Sequence, residues 1–427
     1  MIEVQRQKRQ ERALLIGLEK HGTSKWDLRD SLEELRELAS SAGAEVVDTV
    51  TQKLDAPTAP YYIGKGKAQM IKDSFQKQAV TSVIFDHELS PAQGRNLEQL
   101  FARKVLDRTQ LILDIFAQRA RSREGRLQIE LAQLQYLLPR LTRMWTHLSR
   151  QTGGIGTRGP GETQLEVDRR RVGERIAKIE RELLAVRKTR AVQRQGRKRH
   201  QWPVAAVVGY TNAGKSTLLN LLTGAGVSAE NRLFATLDPT TRSLTLPNQQ
   251  RMLLTDTVGF LRNLPHTLIE SFKATLEEVS EADLLLHVVD LSHPRVDDHI
   301  EAVNEVTREL GAFGKQTVMV FNKVDALANP EVIDAYRRRF PGSVAISART
   351  GEGVRELVGA LQDQLGSWRL HSRFRLPIAQ TELIAELHRA AHIIEVRYDA
   401  EAAVITAHIP AALDEKLAPF RIGGGRS

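Results

Sequence analysis

Apolar and polar residues alternate along this chain in three different rhythms, and each rhythm predicts a different layer. Over residues 13–110, short apolar runs alternate with segments of helical spacing. Ala13–Leu18, Glu45–Thr51 and Ser82–Phe85 read as strands. Ser31–Ala42, closed by Gly43, and Lys67–Lys77 read as helices, and Ser90-Pro91 opens a further helical stretch to Phe101. This alternation predicts a small α/β layer structure. The rhythm then changes. Leu127, Leu131, Leu134, Leu138 and Leu141 recur at spacings of four and three, and Val172, Ile176, Ile179, Leu183 and Val186 repeat the pattern. Each run places one apolar stripe on one helix. Between them lies Gln151–Glu162, rich in glycine and holding Pro160. The pair therefore reads as an antiparallel helical hairpin with a Gly-rich loop. Gln193–His200 reads as a basic, turn-prone linker.

From Pro203 to about Trp368 the alternation returns on a larger scale. Val204–Val208, Met252–Thr255, Leu284–Val289, Thr317–Phe321 and Val344–Ile346 are candidate strands with helices between most of them. They predict a doubly wound, mostly parallel sheet. Ser243–Pro247 and Met252–Asp256 flank Asn248–Arg251 and add one antiparallel hairpin. Residues 374–427 read as a strand, a helix (Thr381–His392), two strands around Tyr398–Glu401 and a last helical turn. The expected fold class is α/β. It comprises an N-terminal α/β subdomain (1–112), a basic helical hairpin (113–200), a doubly wound domain (201–369) and a small α+β C-terminal domain (370–427).

Composition narrows the function class. With no Cys among 427 residues, a disulfide framework and a thiolate zinc site are excluded. No run of eighteen apolar residues occurs, so a transmembrane helix is not expected. We expect a cytoplasmic, monomeric protein, with peripheral membrane association left open. Net charge is +9, but the segment from Arg140 to His200 holds 17 Lys/Arg against 6 Asp/Glu. That block carries the whole basic excess, which points to a polyanion partner, with nucleic acid the obvious candidate.

The chemistry lies in the doubly wound part. Gly209-Tyr210-Thr211-Asn212-Ala213-Gly214-Lys215-Ser216 matches the phosphate-loop pattern in full, after an apolar strand and before a helical stretch. Glycines let backbone N–H groups turn towards phosphates, Lys215 reaches the β- and γ-phosphates, and the Ser216 hydroxyl suits Mg²⁺. Asp256-Thr257-Val258-Gly259 closes a strand. There Asp256 supports the Mg²⁺ shell and the Gly259 N–H faces the γ-phosphate. Asn322-Lys323-Val324-Asp325 ends another strand. The Asp325 carboxylate accepts from guanine N1–H and the 2-amino group, donors that adenine lacks, so this segment selects GTP over ATP. Ser347-Ala348-Arg349 brings backbone N–H groups towards guanine O6. Phe234-Ala235-Thr236-Leu237-Asp238 and the residues to Thr241 read as a first switch around the nucleotide. Thr236 is the favoured second Mg²⁺ ligand, and Thr240 and Thr241 are rivals. Phe260 stands where many GTPases place a water-orienting Gln, which predicts slow intrinsic hydrolysis. Asn212 occupies a position compatible with K⁺ beside the phosphates. Lys215, Asn212 and Gly259 are the candidate catalytic groups.

Outside that domain, Tyr62-Ile-Gly-Lys-Gly-Lys67, Phe85-Asp86 with Leu89-Ser-Pro-Ala-Gln93, Arg108–Gln118 and Gly153–Glu166 complete a resemblance over about residues 10–370. The chain resembles the HflX family, in the Obg–HflX group of GTPases. The resemblance implies GTP and GDP as ligands and the large ribosomal subunit with its RNA as partner. It also implies the splitting or rescue of stalled or idle ribosomes under stress, with hydrolysis stimulated by the ribosome. Arg150, Arg158, Arg169, Arg170 and Arg171 are the candidate RNA contacts. Some family members also bind ATP through the N-terminal domain. No second phosphate loop occurs here, and Gly64–Lys67 is a weak match to such a site. A nucleotide-dependent RNA-binding module and a GTPase acting on a protein partner are the competing readings; the basic block argues against the second.

Overall fold

The fold is that of a computed structural model. It describes residues 11–20, 25–141, 164–199, 202–224, 233–234, 236–247, 250–262, 276–367, 369–399, 401–410, 413 and 416–422. The Gly-rich loop, Arg150, Arg158 and Ala235 lie outside the described residues.

The N-terminal sheet is parallel, with strands in the order β2-β1-β3-β4. β1 (Arg12–Glu19) is buried along its length because helices cover both faces, which is why it reads as a continuous apolar run. Beside it lie β2 (Glu45–Lys53), β3 (Ser82–Phe85) and β4 (Lys104–Asp107). Helices α1 (Lys25–Ser41), α2 (Lys65–Gln78) and α3 (Pro91–Phe101) form the crossovers. Ser90 and Gln93 close a reciprocal capping box at the start of α3, as Ser-Pro predicts. Gly64 is the N-cap of α2 and donates its N–H to Gln52 Oε1 at 2.9 Å, and Lys65–Lys67 form the first turn of that helix. The sequence reading missed β4 and the helix that follows without a break, α4 (Arg108–Arg119). Asp107 makes the join. It caps α4 through Gln110 N–H at 2.9 Å, accepts from Leu89 N–H at 3.0 Å and from Tyr136 Oη at 2.6 Å.

The hairpin is present. α5 (Arg123–Leu141) packs Leu127, Leu131 and Leu134 against Ile176, Ile179 and Leu183 of α6 (Gln164–Arg199). Arg175 reaches across to Glu130 with two contacts at 2.6 and 2.8 Å. The expected linker at Gln193–His200 is corrected: α6 continues through Arg199. Arg, Lys and Gln are good helix formers, and the lone Gly196 does not stop them.

The third sheet has the order β10-β9-β8-β5-β7-β6. Its strands are β5 (Val204–Gly209), β6 (Thr240–Thr245), β7 (Arg251–Asp256), β8 (Leu284–Asp290), β9 (Thr317–Asn322) and β10 (Val344–Ala345). All pair in parallel except β6 with β7, the predicted hairpin. Helices α7 (Lys215–Thr223), α8 (Val296–Glu309), α9 (Glu331–Arg339) and α10 (Val354–Ser367) lie between strands. The C-terminal domain is an antiparallel sheet, β11-β13-β12, from β11 (Arg369–Pro377), β12 (His392–Tyr398) and β13 (Ala402–Pro410). α11 (Thr381–Ala390) packs Leu387 into its core.

Contacts divide the chain into two compact units. The N-terminal sheet and the hairpin up to Val186 belong to the first, together with the segment ending at Asp238. The second holds the six-stranded and C-terminal sheets. No described helix is long and apolar enough to cross a membrane.

Candidate nucleotide site

β5 is the central strand on which the phosphate loop hangs, and two glycines are required by their surroundings. A Cβ on Gly209 would stand 2.2 Å from the Val288 carbonyl oxygen. Gly214 has φ of 94°, and a Cβ there would stand 2.2 Å from Asn322 Nδ2. Lys215 then opens α7. Its ammonium is buried and donates to Gly209 O at 3.1 Å and Tyr210 O at 2.7 Å. Burial lowers its pKa to about 8, against the pull of Asp256. Thr211 Oγ1 is buried at the same loop without a hydrogen-bond partner among the described residues.

The Ser216 hydroxyl donates to Asp256 Oδ2 at 2.7 Å. A hydroxyl and a carboxylate that close are hard-oxygen donors suited to Mg²⁺, so the residues fit the ion. Thr257 is fully buried and donates to Val207 O at 2.7 Å, which fixes the turn after Asp256 to the sheet. Val258 is buried. Gly259 lies against Thr211 and Lys215: a Cβ would stand 2.8 Å from Thr211 Cγ2 and 3.0 Å from Lys215 Nζ. Phe260 is buried, so its side chain is no water ligand. Asn212 is exposed with φ of 60°.

The segments expected to recognise the base meet at one end of β9. Asn322 is a staple that the sequence reading did not foresee. Its Nδ2 donates to Ala213 O at 2.7 Å and its Oδ1 accepts Ala348 N–H at 2.9 Å. It thereby ties the phosphate loop to Ser347–Arg349. Lys323, with φ of 65°, pairs with Asp290 at 2.7 Å. Val324 donates its N–H to Ile346 O at 3.2 Å. Asp325 accepts from Ser347 Oγ at 2.6 Å and pairs with Arg349 at 2.5 Å. The Ser347 bond is the main reason its carboxyl lies below the usual range, and Arg349 adds to it.

The expected first switch is placed differently from the rest. Its described residues up to Asp238 are grouped with the first unit, and Pro239–Thr241 with the second. Phe234 is buried with its ring edge-on to Phe116, centroids 4.5 Å apart. Leu237 is buried. The Asp238 carboxylate accepts from Arg121 N–H and Ser122 N–H, both at 2.8 Å, and from the Ser122 hydroxyl. Ser122 in turn caps α5 through Gly125 N–H at 2.9 Å. Thr236 is half-buried in this segment, while Thr241 bonds Thr255 at 2.9 Å within the β6–β7 pair. Arg169, Arg170 and Arg171 are exposed on α6.

Comparison with known proteins shows the family. Family models match three consecutive stretches: GTP-binding GTPase N-terminal over residues 29–117, GTP-binding GTPase Middle Region over 119–197, and 50S ribosome-binding GTPase over 204–323. A GTPase HflX of Caldanaerobacter subterraneus subsp. tengcongensis is 47% identical over 412 residues, 96% of this chain and 94% of that one. The chain belongs to the HflX family of GTPases. The HflX of Escherichia coli K12 is 48% identical over 380 residues, 89% of this chain and 88% of its own. The crystal structure of SsGBP with GDP superposes with a TM-score of 0.50 at 25% identity, covering 83% of this chain and 98% of that one. An HflX GTPase hydrolyses GTP, so GTP hydrolysis is the activity of this chain.

Proposed function

We propose that this GTPase binds the large ribosomal subunit in its GTP form and splits or rescues stalled or idle ribosomes, with hydrolysis slow alone and stimulated by the ribosome. The observation that carries the reading is Phe260. The phosphate-binding groups are complete in the chain, yet the residue after Gly259 is a buried phenyl ring that cannot orient water. A site so built hydrolyses slowly until a partner completes it. The exposed arginines of α6 and the match of residues 204–323 to the 50S ribosome-binding GTPase family support a ribosomal partner. Arg169, Arg170 and Arg171, with Arg150 and Arg158, contact ribosomal RNA in this reading.

Each chain residue then has a task. Lys215 and the loop N–H groups from Gly209 to Ser216 neutralise and orient the phosphates. The Gly259 N–H holds the γ-phosphate, and Asp325 selects guanine. Ser216 and Thr236, backed by Asp256, hold Mg²⁺, which screens the phosphate charge when bound. Asn212 favours K⁺ beside the phosphates; equal hydrolysis rates in Na⁺ and K⁺ buffers would refute that part. Sedimentation with purified subunits and GTP, GDP or a hydrolysis-resistant analogue tests the whole. GTP-dependent association with the large subunit and a ribosome-stimulated rate are expected. Absence of both sinks the proposal, while full splitting with the analogue assigns hydrolysis to release.

A further inference from the structure

The segment after Gly259 is fastened to the phosphate loop by more than the β5–β7 pairing. Thr211 N–H donates to Phe260 O at 2.8 Å, and Phe260 N–H donates to Gly209 O at 3.1 Å. Two residues further on, Arg262 N–H donates to Tyr210 Oη at 3.0 Å. The Tyr210 ring lies flat on His299 of α8, with centroids 3.8 Å apart and planes within 5°. His293 packs against His299 at 4.2 Å. Burial brings the His299 pKa down to about 3, so the stack joins two uncharged rings at neutral pH. The residue before it, Asp298, pairs with Arg262 at 3.5 Å and Arg295 at 3.0 Å. The first turn of α8 therefore grips the phosphate loop through His299 and the segment after Gly259 through Asp298.

The consequence falls on Gly259. In the GTP reading, a γ-phosphate must touch both the Lys215 ammonium and the Gly259 N–H. A Cβ on Gly259 would already stand 3.0 Å from that ammonium and 2.8 Å from Thr211 Cγ2. The ammonium ends a flexible side chain and can swing aside, but Thr211 Cα is backbone and stands 2.9 Å from the same point, so a phosphoryl group reaches the Gly259 N–H only once the segment draws back from the loop. GDP has no group to place there. We propose that Tyr210 and His299 form a latch that holds the segment after Gly259 against the phosphate loop, so that GTP, and not GDP, has to open it. Both are positioning residues in this proposal, which rests on reading Gly209–Ser216 as the GTP site.

Titration calorimetry on the full chain, with GDP and with a hydrolysis-resistant GTP analogue in Mg²⁺ buffer, tests the latch. Tyr210→Phe keeps the ring and removes the acceptor for Arg262 N–H, and His299→Ala removes the stack. Each raises the ratio of analogue affinity to GDP affinity by about two- to tenfold, the worth of one net hydrogen bond. His299→Phe, which restores an aromatic face, returns the ratio towards wild type. A role in stability alone would move both affinities together and leave the ratio fixed. If His299→Ala does not fold, Tyr210→Phe carries the test. An unchanged or lowered ratio in a protein that binds both nucleotides overturns the latch alone. Failure of the wild type to bind either nucleotide overturns the site reading and the latch with it.

Discussion

Asp325 shows how far a single residue can be read from sequence. Its place at the end of the Asn322–Asp325 segment that runs on from β9 predicts base recognition, and the structure sets it beside Ser347 and Arg349. Asp325→Asn replaces a carboxylate that takes two charge-assisted hydrogen bonds. The expected outcome is GDP binding weaker by at least about tenfold and a narrower margin over ADP, measured by competition titration. His287 carried no signal in sequence beyond interrupting an apolar strand. It is buried, and burial, helped by Lys215, lowers its pKa from 6.5 to about 4. The unfolded chain therefore binds that proton more readily than the folded one. Stability from this group is full above pH 6.5 and falls by up to about 3 kcal/mol as pH drops to about 4. His287→Val should flatten the dependence of melting temperature on pH across that window; an unaltered slope would show that other groups set it. Asn322 was legible as part of a motif but not as a staple, because its partners Ala213 and Ala348 are far from it in sequence.

At the scale of elements, periodicity worked wherever one face or one stripe decided burial. The hairpin stripes Leu127–Leu134 and Ile176–Leu183 meet as expected. Ile179 is fully buried at that seam, so Ile179→Ala should cost about 2–4 kcal/mol in a urea melt of the full chain. The junction β4–α4 was missed because Lys104–Asp107 is a four-residue strand that enters a helix directly, with no glycine or proline between them. Phe234–Thr241 was legible as a candidate first switch, but the anchors of its first part were not. Asp238 finds Arg121 and Ser122 more than a hundred positions away in the chain. Asp238→Ala removes the acceptor that holds the α5 cap. A loss of about 1–3 kcal/mol from the first unit's unfolding transition is expected, and a melt indistinguishable from wild type would show the clasp to be idle.

Over the whole molecule, charge and architecture were legible for different reasons. The basic excess is a property of composition, so it survives any folding: α6 carries Arg169, Arg170 and Arg171 on its surface. Replacing these three by Ala should lower the slope of log affinity against log salt for ribosomal RNA by up to about three; an unaltered slope would place the contacts elsewhere. The candidate phosphate loop, the turn after Asp256 and the Asn322–Asp325 segment were legible in the sequence itself. Their chemistry depends on local backbone geometry, and local geometry is written in neighbouring residues such as Gly209 and Gly214. The hairpin and the sheets were determined in the same way by apolar spacing. The tertiary structure alone decided which unit gathers Leu233–Asp238, that Asn322 joins Ala213 to Ser347–Arg349, and that His299 stacks on Tyr210, whose hydroxyl accepts from Arg262 N–H. Those contacts join residues distant along the chain, and no periodicity encodes which distant side chains meet. Only the packed sheet and helices bring them within hydrogen-bond and stacking range.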